Sequence, residues 1–381
     1  MKTAWTLLPS FLVALAAVRG RAATPPNPPP ESTSRMVSPE VHPDGRVTFR
    51  FRAPAAKEVL LELEGAKSAP MKKDAQGVWT FTTEPLSPDF YGYLFSTAGS
   101  KSIDPVNPLL KPNLLETQSM VHVPGPTSLP WEIGPFPRGE VHRHFYRSSV
   151  VGDQRDFYVY TPPGYDARSY EQYPVLYLLH GYSDDASAWV SVGQANVIID
   201  NLIAQRKVRP MVVVMPLGYG APEMLAEGFG SFRDPNLRKR NFEKFQGALL
   251  GEIIPWVEHS YRVATDRGSR AIAGLSMGGA EALLTGLNHL DRFAWIGAFS
   301  AGGVNAEFET AFPGLDAKAN ANLRLLWIAC GVDDSLIDIN RKLMQWLTSK
   351  GVQHTPVETP GAHTWMLWRR QLASFAPRLF R

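Results

Sequence analysis

The pentapeptide at residues 274–278, Gly-Leu-Ser-Met-Gly, combines residue types and a position that are specific for chemistry. It follows a β-type run at residues 270–273 and precedes helix-forming residues that begin at about Met277. A serine on such a sharp strand-to-helix turn projects its hydroxyl outward, and the flanking glycines let neighbouring backbone approach closely. We therefore predict that Ser276 is a nucleophile. The alternative is a glycine-rich turn with an ordinary surface serine, and the strand and helix on either side argue against it.

A serine hydroxyl is a weak nucleophile at neutral pH and needs a general base. In an α/β-hydrolase, the acid and then the histidine follow the serine along the chain. His289 is too near Ser276 for another strand and its acid to intervene, and His354 begins a strand-like run. His363 lies in the loop between that run and the last helix, where it would reach the sheet edge that holds the serine. We predict His363 as the base.

The acid should come from the loop after the preceding strand-like run at residues 323–329. That loop contains two adjacent carboxylates, Asp333 and Asp334. One of them should accept a hydrogen bond from the second ring nitrogen of His363, and the other is expected to cap a turn or helix. Adjacent side chains diverge, so the two are not expected to reach His363 together, and spacing leaves the choice between them open.

Attack of a serine on a carbonyl group also requires backbone N–H groups directed at the carbonyl oxygen, which form an oxyanion hole. One should be the N–H of Met277, directly after the nucleophile, and the other should come from a loop after an earlier strand. The run Leu-Leu-His-Gly-Tyr at residues 178–182 fits this position, and we predict Tyr182 as the second donor. His180 is interpreted as a structural hydrogen-bonding residue.

Four aromatic residues near these motifs are candidates to line a substrate pocket: Trp189, Phe229, Phe232 and Trp365. Each of them taken singly is more often a packing residue, whereas the set as a whole predicts at least one aromatic side chain in the pocket. The predicted chemistry requires no metal and no cofactor.

The elements around these motifs alternate between strand and helix. Strands are predicted at residues 156–161, 175–179 and 211–215, and helices at residues 196–206 and 249–261. This alternation predicts a mostly parallel sheet in an α/β-hydrolase sandwich over residues 139–381. Short β-type runs over residues 36–107 predict a small all-β sandwich, and a Pro-rich connector over residues 108–138 separates the two domains.

The first residues of the chain predict export. Residues 1–22 combine a basic start, an apolar core and small residues at the end, which is typical of a signal peptide. An uncleaved anchor is less favoured because the apolar segment is short and contains Pro9. Residues 23–35 then form a Pro-rich linker. We expect a secreted or periplasmic protein.

Charge and cysteine content narrow the class further. The whole chain has 39 basic and 36 acidic residues, and the predicted signal peptide holds three of the basic residues and no acidic one. The neutral remainder argues against binding of nucleic acid or of an anionic membrane surface. Only the N-terminal stretch has an apolar run that could enter a membrane, so we expect no stable membrane insertion after its cleavage. A single cysteine, Cys330, excludes an internal disulfide and is predicted to be a buried strand residue.

From about residue 139 onward the chain resembles the esterase D superfamily, specifically the feruloyl esterases of carbohydrate esterase family one. The matching motifs are Tyr-Val-Tyr-Thr-Pro-Pro-Gly-Tyr at 158–165, Leu-Leu-His-Gly at 178–181, Trp189, Ala-Gly-Leu-Ser-Met-Gly-Gly at 273–279, Ala-Cys-Gly at 329–331, Asp-Ser-Leu at 334–336 and His-Thr-Trp at 363–365. The family's acid precedes Ser-Leu, which implies Asp334 in that role with Asp333 in reserve. Residues 36–107 resemble the immunoglobulin-like early-set domains found ahead of these esterases.

The resemblance implies a secreted serine ester hydrolase that releases ferulate or a related hydroxycinnamate from plant cell-wall polysaccharide. Acetylxylan or siderophore esters of the enterochelin type are alternative substrates, and acyl transfer, as in the related mycolyltransferases, is an alternative reaction. A different class is a glycan-binding protein with a decayed hydrolase. Exposure of Trp79 or Tyr91 on a flat face would favour glycan binding, and their burial would argue against it.

Overall fold

The computed structural model of the chain describes residues 36–304 and 306–381. The predicted signal peptide at 1–22 and linker at 23–35 lie outside the described residues. An all-β part extends as far as Val123, and an α/β part begins at Glu140.

The all-β part has two antiparallel sheets that pack face to face. Their strands are β1 Glu40–Val41, β2 Val47–Arg52, β3 Leu60–Leu63, β4 Ala69–Pro70, β5 Lys72–Lys73, β6 Val78–Thr82, β7 Asp89–Thr97, β8 Ser100–Ser102, β9 Leu110–Lys111 and β10 Gln118–Val123. One sheet has the order β1-β2-β6-β5, and the other has the order β4-β3-β7-β10-β9 with β8 on β7. Side chains such as Phe49, Tyr93 and Phe95 fill the space between the sheets. The predicted all-β character is confirmed.

Two features of this part bear on the expectations from the sequence. Strands β9 and β10 come from the segment predicted as a connector, because the nine-residue strand β7 has room to pair with β3 and β10. Trp79 and Tyr91 are buried, and each donates a hydrogen bond to a nearby carbonyl oxygen. Their burial argues against glycan binding through these two rings.

The α/β part is built on one large sheet. Its strands are β11 Glu140–Arg147, β12 Gln154–Thr161, β13 Val175–Leu179, β14 Val212–Pro216, β15 Arg270–Leu275, β16 Trp295–Phe299, β17 Leu325–Gly331 and β18 Thr355–Thr359. The order is β11-β12-β14-β13-β15-β16-β17-β18. Strand β12 pairs antiparallel with β11 on one side and with β14 on the other. All neighbouring strands from β14 across the sheet to β18 pair parallel. The predicted mostly parallel sheet is confirmed.

Helices cover both faces of the large sheet, which explains why its central strands are apolar along their whole length. The α-helices are α1 Ala188–Ser191, α2 Ala195–Ala204, α3 Phe229–Arg233, α4 Pro235–Ala248, α5 Ile254–Ser260, α6 Met277–Asn288, α7 Phe308–Ala311, α8 Ile337–Ser349 and α9 Trp365–Phe375. A π-helical turn, Leu249–Ile253, precedes α5 within the segment predicted as one helix. No helix in the described ranges is both long enough and apolar enough to cross a membrane.

Two cores result, one on each face of the sheet. In β13 the side chains alternate, with Tyr177 and Leu179 in one core and Leu176 and Leu178 in the other. The alternation follows from the period of two along a strand, because successive side chains point to opposite faces. Ser276, at the end of β15, therefore stands at the carboxyl edge of a sheet that is supported from both sides.

Candidate active site

Ser276 lies at the junction of β15 and α6 in a strained conformation, with φ 51° and ψ −116°. Positive φ is uncommon for residues other than glycine, and it persists only where the surroundings enforce it. A side chain on Gly278 would overlap the carbonyl oxygen of His180 and lie 2.6 Å from that of Leu179. The glycine therefore lets α6 start directly against the end of β13, which forces the sharp turn at the serine.

A continuous hydrogen-bond chain begins at Ser276. The serine Oγ lies 3.0 Å from His363 Nε2, and His363 Nδ1 lies 2.9 Å from Asp334 Oδ2. A carboxylate only accepts hydrogen bonds, so Nδ1–H donates to Asp334 and Nε2 is left to accept from the serine hydroxyl. This tautomer is the one that a general base requires.

Asp334 is almost fully buried at the start of the loop after β17. Burial opposes its ionisation, but hydrogen bonds from His363 and the Leu336 N–H outweigh burial and hold its pKa below the ordinary value. The carboxylate is thus charged when the imidazole becomes protonated, and it stabilises the imidazolium.

Asp333 does not contact His363. Its side chain accepts a hydrogen bond of 3.3 Å from the Gly361 N–H, and its own N–H donates to the Gly361 carbonyl oxygen at 3.1 Å. Asp333 therefore ties down the loop that carries His363. Of the two aspartates, Asp334 is the one that hydrogen-bonds to His363.

The two predicted N–H donors flank the serine. Met277 is the first residue of α6, so its N–H has no carbonyl partner one turn earlier in the helix. Gly181, directly before Tyr182, lies so close to Ser276 that an added Cβ would be 3.4 Å from the serine Cβ. Both segments thus lie next to Ser276.

His180 has the structural role expected for it. Its Nδ1–H donates to the Gly181 carbonyl oxygen at 2.8 Å, and its Nε2 accepts from the Gly218 N–H at 2.9 Å. Burial lowers the pKa of His180 to about 4, so the ring is neutral and both bonds persist at neutral pH. The histidine fixes the loop that presents Tyr182.

The four aromatic pocket candidates divide into two pairs. Trp189 and Trp365 are 0% and 2% exposed and pack edge to face, with ring centroids 5.1 Å apart. Both belong to the core, and their burial argues against the prediction that they bind substrate. Phe229 and Phe232 instead lie beside the Tyr182 ring, at 5.0 Å and 4.9 Å between centroids.

The all-β part supports the Tyr182 loop. The residues that do so were not predicted from the sequence. The Leu114 N–H donates to the Ser183 carbonyl oxygen at 2.7 Å, and Asn113 Nδ2 donates to Ser183 Oγ at 2.9 Å. Asp184, in the same loop, accepts from the Gly181 N–H at 3.3 Å, and burial raises its pKa to about 7. The contacts join segments 70 residues apart, for which no local pattern exists.

Glu64, at the end of β3, supports the histidine loop in the same way. Its Oε1 accepts from the N–H of Trp365, two residues after His363, at 3.1 Å. Its Oε2 accepts from the Gly92 N–H and from Lys111 Nζ, both at 3.0 Å. The all-β part therefore anchors the loops on both sides of Ser276.

Two further observations concern the cysteine and the possible metal ligands. Cys330 is buried in β17, as predicted, and burial raises its pKa to about 12, which makes the thiol unreactive. Across residues 36–304 and 306–381, no group of three or more His, Cys, Asp or Glu side chains is placed to hold a metal ion.

Comparisons of sequence identify the family to which the chain belongs. The sequence model of the Esterase family, described as "Putative esterase", matches residues 148–379. The endo-1,4-beta-xylanase/feruloyl esterase of Xylanibacter ruminicola is 30% identical over 93% of this chain, and the chain spans about half (47%) of that relative's length. The acetyl esterase of Caldicellulosiruptor saccharolyticus is 26% identical over 54% of this chain and 82% of its own.

Solved structures share the fold. A ferulic acid esterase from Anaeromyces mucronatus superposes with a TM-score of 0.58 at 23% identity, covering 67% of this chain and 96% of its own. The enterobactin esterase of Shigella flexneri gives a TM-score of 0.65 at 20% identity, covering 87% of this chain and 92% of its own. At these identities the likeness shows the fold alone. The family match spans the whole segment from Ser276 to His363, and it shows that this chain is an enzyme of the Esterase family.

Proposed function

We propose that the protein is a serine carboxylic-ester hydrolase with Ser276 as nucleophile, His363 as general base and Asp334 as the acid that orients it. The observation that carries the proposal is the hydrogen-bond chain through these three side chains, at 3.0 Å and 2.9 Å. Such a chain also argues against a decayed hydrolase, because a protein that only binds glycans has no need to keep it.

The reaction proceeds in two halves. Ser276 Oγ attacks the ester carbonyl carbon while His363 Nε2 takes the hydroxyl proton, and the N–H groups of Tyr182 and Met277 stabilise the oxyanion. The tetrahedral intermediate collapses as His363 gives that proton to the leaving alcohol. Water then attacks the acyl-enzyme with His363 again as base, which releases the acid and restores the serine.

The acyl group is proposed to be ferulate or a related hydroxycinnamate, esterified to plant cell-wall polysaccharide. The support is the name of the relative at 30% identity and the aromatic cluster of Tyr182, Phe229 and Phe232 beside the serine. Phe229 is 62% exposed and so offers a ring face to a phenolic acid. Export by the signal peptide at residues 1–22 would bring the enzyme to such a polymer.

The all-β part is proposed to be an immunoglobulin-like early-set domain. Two packed antiparallel sheets are the architecture that such domains share. Its contacts with the loops of Tyr182 and His363 indicate that it acts as a support of the active site.

A siderophore ester is the second candidate substrate. The enterobactin esterase structure covers 87% of this chain, which is more than the α/β part alone provides, so its likeness extends into the all-β part. Acetyl esters are a further candidate through the acetyl esterase relative.

The test is product release by the wild type, by Ser276→Ala and by Ser374→Ala, the last being a matched change at an exposed serine of α9. The substrates are methyl ferulate, feruloylated arabinoxylan, p-nitrophenyl acetate and enterobactin. Loss of the nucleophile should lower kcat by about 10⁴-fold or more, with Ser374→Ala unchanged. Turnover of acetate or enterobactin alone would keep the mechanism and replace the substrate, and ester turnover by Ser276→Ala would contradict the mechanism. Adding an acceptor alcohol separates hydrolysis from acyl transfer.

A further inference from the structure

A cleft of about 370 Å³ lies between the all-β part and the loop that carries His363. We refer to it as the histidine cleft. Its polar lining residues are Glu62, Lys101, Glu116 and Gln118 from the all-β part, and His363 and Thr364 from the loop. Its volume lies within the range of small-ligand sites.

The charges in the histidine cleft are already paired. Lys101 Nζ lies 2.9 Å from Glu62 and 3.1 Å from Glu116, and Lys111 pairs with Glu64 at 3.0 Å. An anionic ligand would have to break one of these pairs. A neutral ligand that carries hydroxyl groups can instead donate to the carboxylates and accept from the ammonium and amide groups that are present.

The position of the cleft beside His363 relates it to the alcohol part of the ester substrate. In the mechanism proposed above, His363 Nε2 donates its proton to the oxygen of the departing alcohol. The alcohol part of the substrate must therefore lie within hydrogen-bond reach of His363, whose side chain forms part of the wall of the cleft. The aromatic cluster around Tyr182 then binds the acyl part, which includes the carbonyl carbon.

We propose that the histidine cleft binds the alcohol part of the ester and that this alcohol is a neutral saccharide. The proposal rests on the proposed hydrolysis of a saccharide ester and adds the site that binds the leaving saccharide. It also assigns the all-β part a direct contact with substrate, through side chains different from Trp79 and Tyr91.

The first test does not depend on activity. An unesterified arabinoxylo-oligosaccharide is titrated into the wild type, Ala66→Trp and Ala55→Trp, with binding followed by calorimetry. Ala66 lies in the wall of the cleft and is exposed, so an indole there fills the space, while Ala55 is an exposed alanine of the same part outside the cleft wall. Binding should weaken about 10-fold or more in Ala66→Trp, which corresponds to the loss of one or two hydrogen bonds, and should persist in Ala55→Trp.

The second test uses two esters with the same acyl group, methyl ferulate and a feruloylated arabinoxylo-oligosaccharide. Ala66→Trp should lower kcat/KM for the saccharide ester by about 10-fold while kcat/KM for the methyl ester stays the same. An equal loss on both esters, or saccharide binding that Ala66→Trp leaves intact, would overturn the cleft assignment. Absence of turnover of both esters by the wild type would instead refute the feruloyl ester as substrate, and the calorimetry would still decide whether the cleft binds saccharide.

Discussion

Asp89 of β7 and Arg369 of α9 form a salt bridge in which both side chains are fully buried, with 2.7 Å between Asp89 Oδ1 and Arg369 Nη2. The guanidinium also donates to the carbonyl oxygens of Phe90 and Val192, both at 2.7 Å. Arg370 donates to the second carboxylate oxygen at 2.8 Å. The all-β part therefore holds the helix that follows His363 directly.

Asp89→Ala should destabilise the protein by about 3–5 kcal/mol, because it leaves the Arg369 guanidinium buried without its counter-charge. Urea unfolding at equilibrium measures the change. Glu243→Ala is the control, since it removes one member of the exposed Lys239–Glu243 pair, and the free energy of unfolding should be unchanged within error. Equal stability of the two variants would show that the buried pair contributes nothing.

Asp334→Asn should lower kcat by about 10⁴-fold while leaving the fold intact, because an amide at this position lets His363 adopt the wrong tautomer. Asp333→Asn is the matched neighbour, and it keeps an oxygen that can accept from the Gly361 N–H. Its kcat should stay within a few-fold of wild type. The measurement is kcat of both variants on p-nitrophenyl acetate, with circular dichroism as a check of folding. A large loss of kcat in Asp333→Asn and a small one in Asp334→Asn would make Asp333 the acid.

Gly278→Ala should abolish activity and weaken the fold, because the added methyl group overlaps backbone oxygens of Leu179 and His180. These atoms cannot move without displacing the end of β13. Gly251→Ala is the control, since nothing lies within 4 Å of a Cβ at that position, and a helical alanine there should add about 0.5–1 kcal/mol of stability. Thermal melts and ester turnover of both variants test the prediction. A fully active Gly278→Ala would show that α6 has room to shift.

Glu281→Gln should make the protein more stable at alkaline pH. Glu281 is buried in α6, and its Oε2 has no hydrogen-bond partner. Burial raises the pKa of Glu281 well above the ordinary value, because the positive charge of Arg155, which lowers the pKa, has a weaker effect. Above pH 4.5 the unfolded chain loses this proton while the folded protein keeps it, so the wild type loses stability as pH rises. Glutamine does not titrate, and this loss disappears.

The measurement is Tm from about pH 5 to about pH 9 for the wild type, Glu281→Gln and the exposed control Glu171→Gln. The advantage of Glu281→Gln should grow with pH, whereas the control should run parallel to the wild type. A constant difference across the range would mean that Glu281 is ionised in the folded protein.

The sequence predicted those parts of the site that local pattern and chain order determine. Ser276 stands in a motif between a strand and a helix, and the order serine, acid, histidine selects His363 from three histidines. The choice of Asp334 depended on the family resemblance, because Asp333 and Asp334 are adjacent and their distance along the chain from Ser276 and His363 does not distinguish them. Strands β9 and β10 were missed, since prolines around them favoured a connector and their pairing depends on the distant β7.

The contacts that support the loops could not be predicted for a different reason. Asn113 and Glu64 each contact residues of another part of the chain, and neither has a sequence signature of its own. The burial of Trp189 and Trp365 in the core could not be predicted either, because apolar contact area serves a core and a pocket equally well. Such distinctions arise only after the sheets have packed.

The hydrogen bond between Glu64 and the N–H of Trp365 joins residues 301 positions apart. During synthesis, the all-β part leaves the ribosome well before α9. A nascent chain that ends before α9 would already contain the nucleophile, but its base would have no anchor. Closing so long a loop is also slow compared with local folding. Catalytic competence should therefore appear only once α9 has emerged and docked against the all-β part.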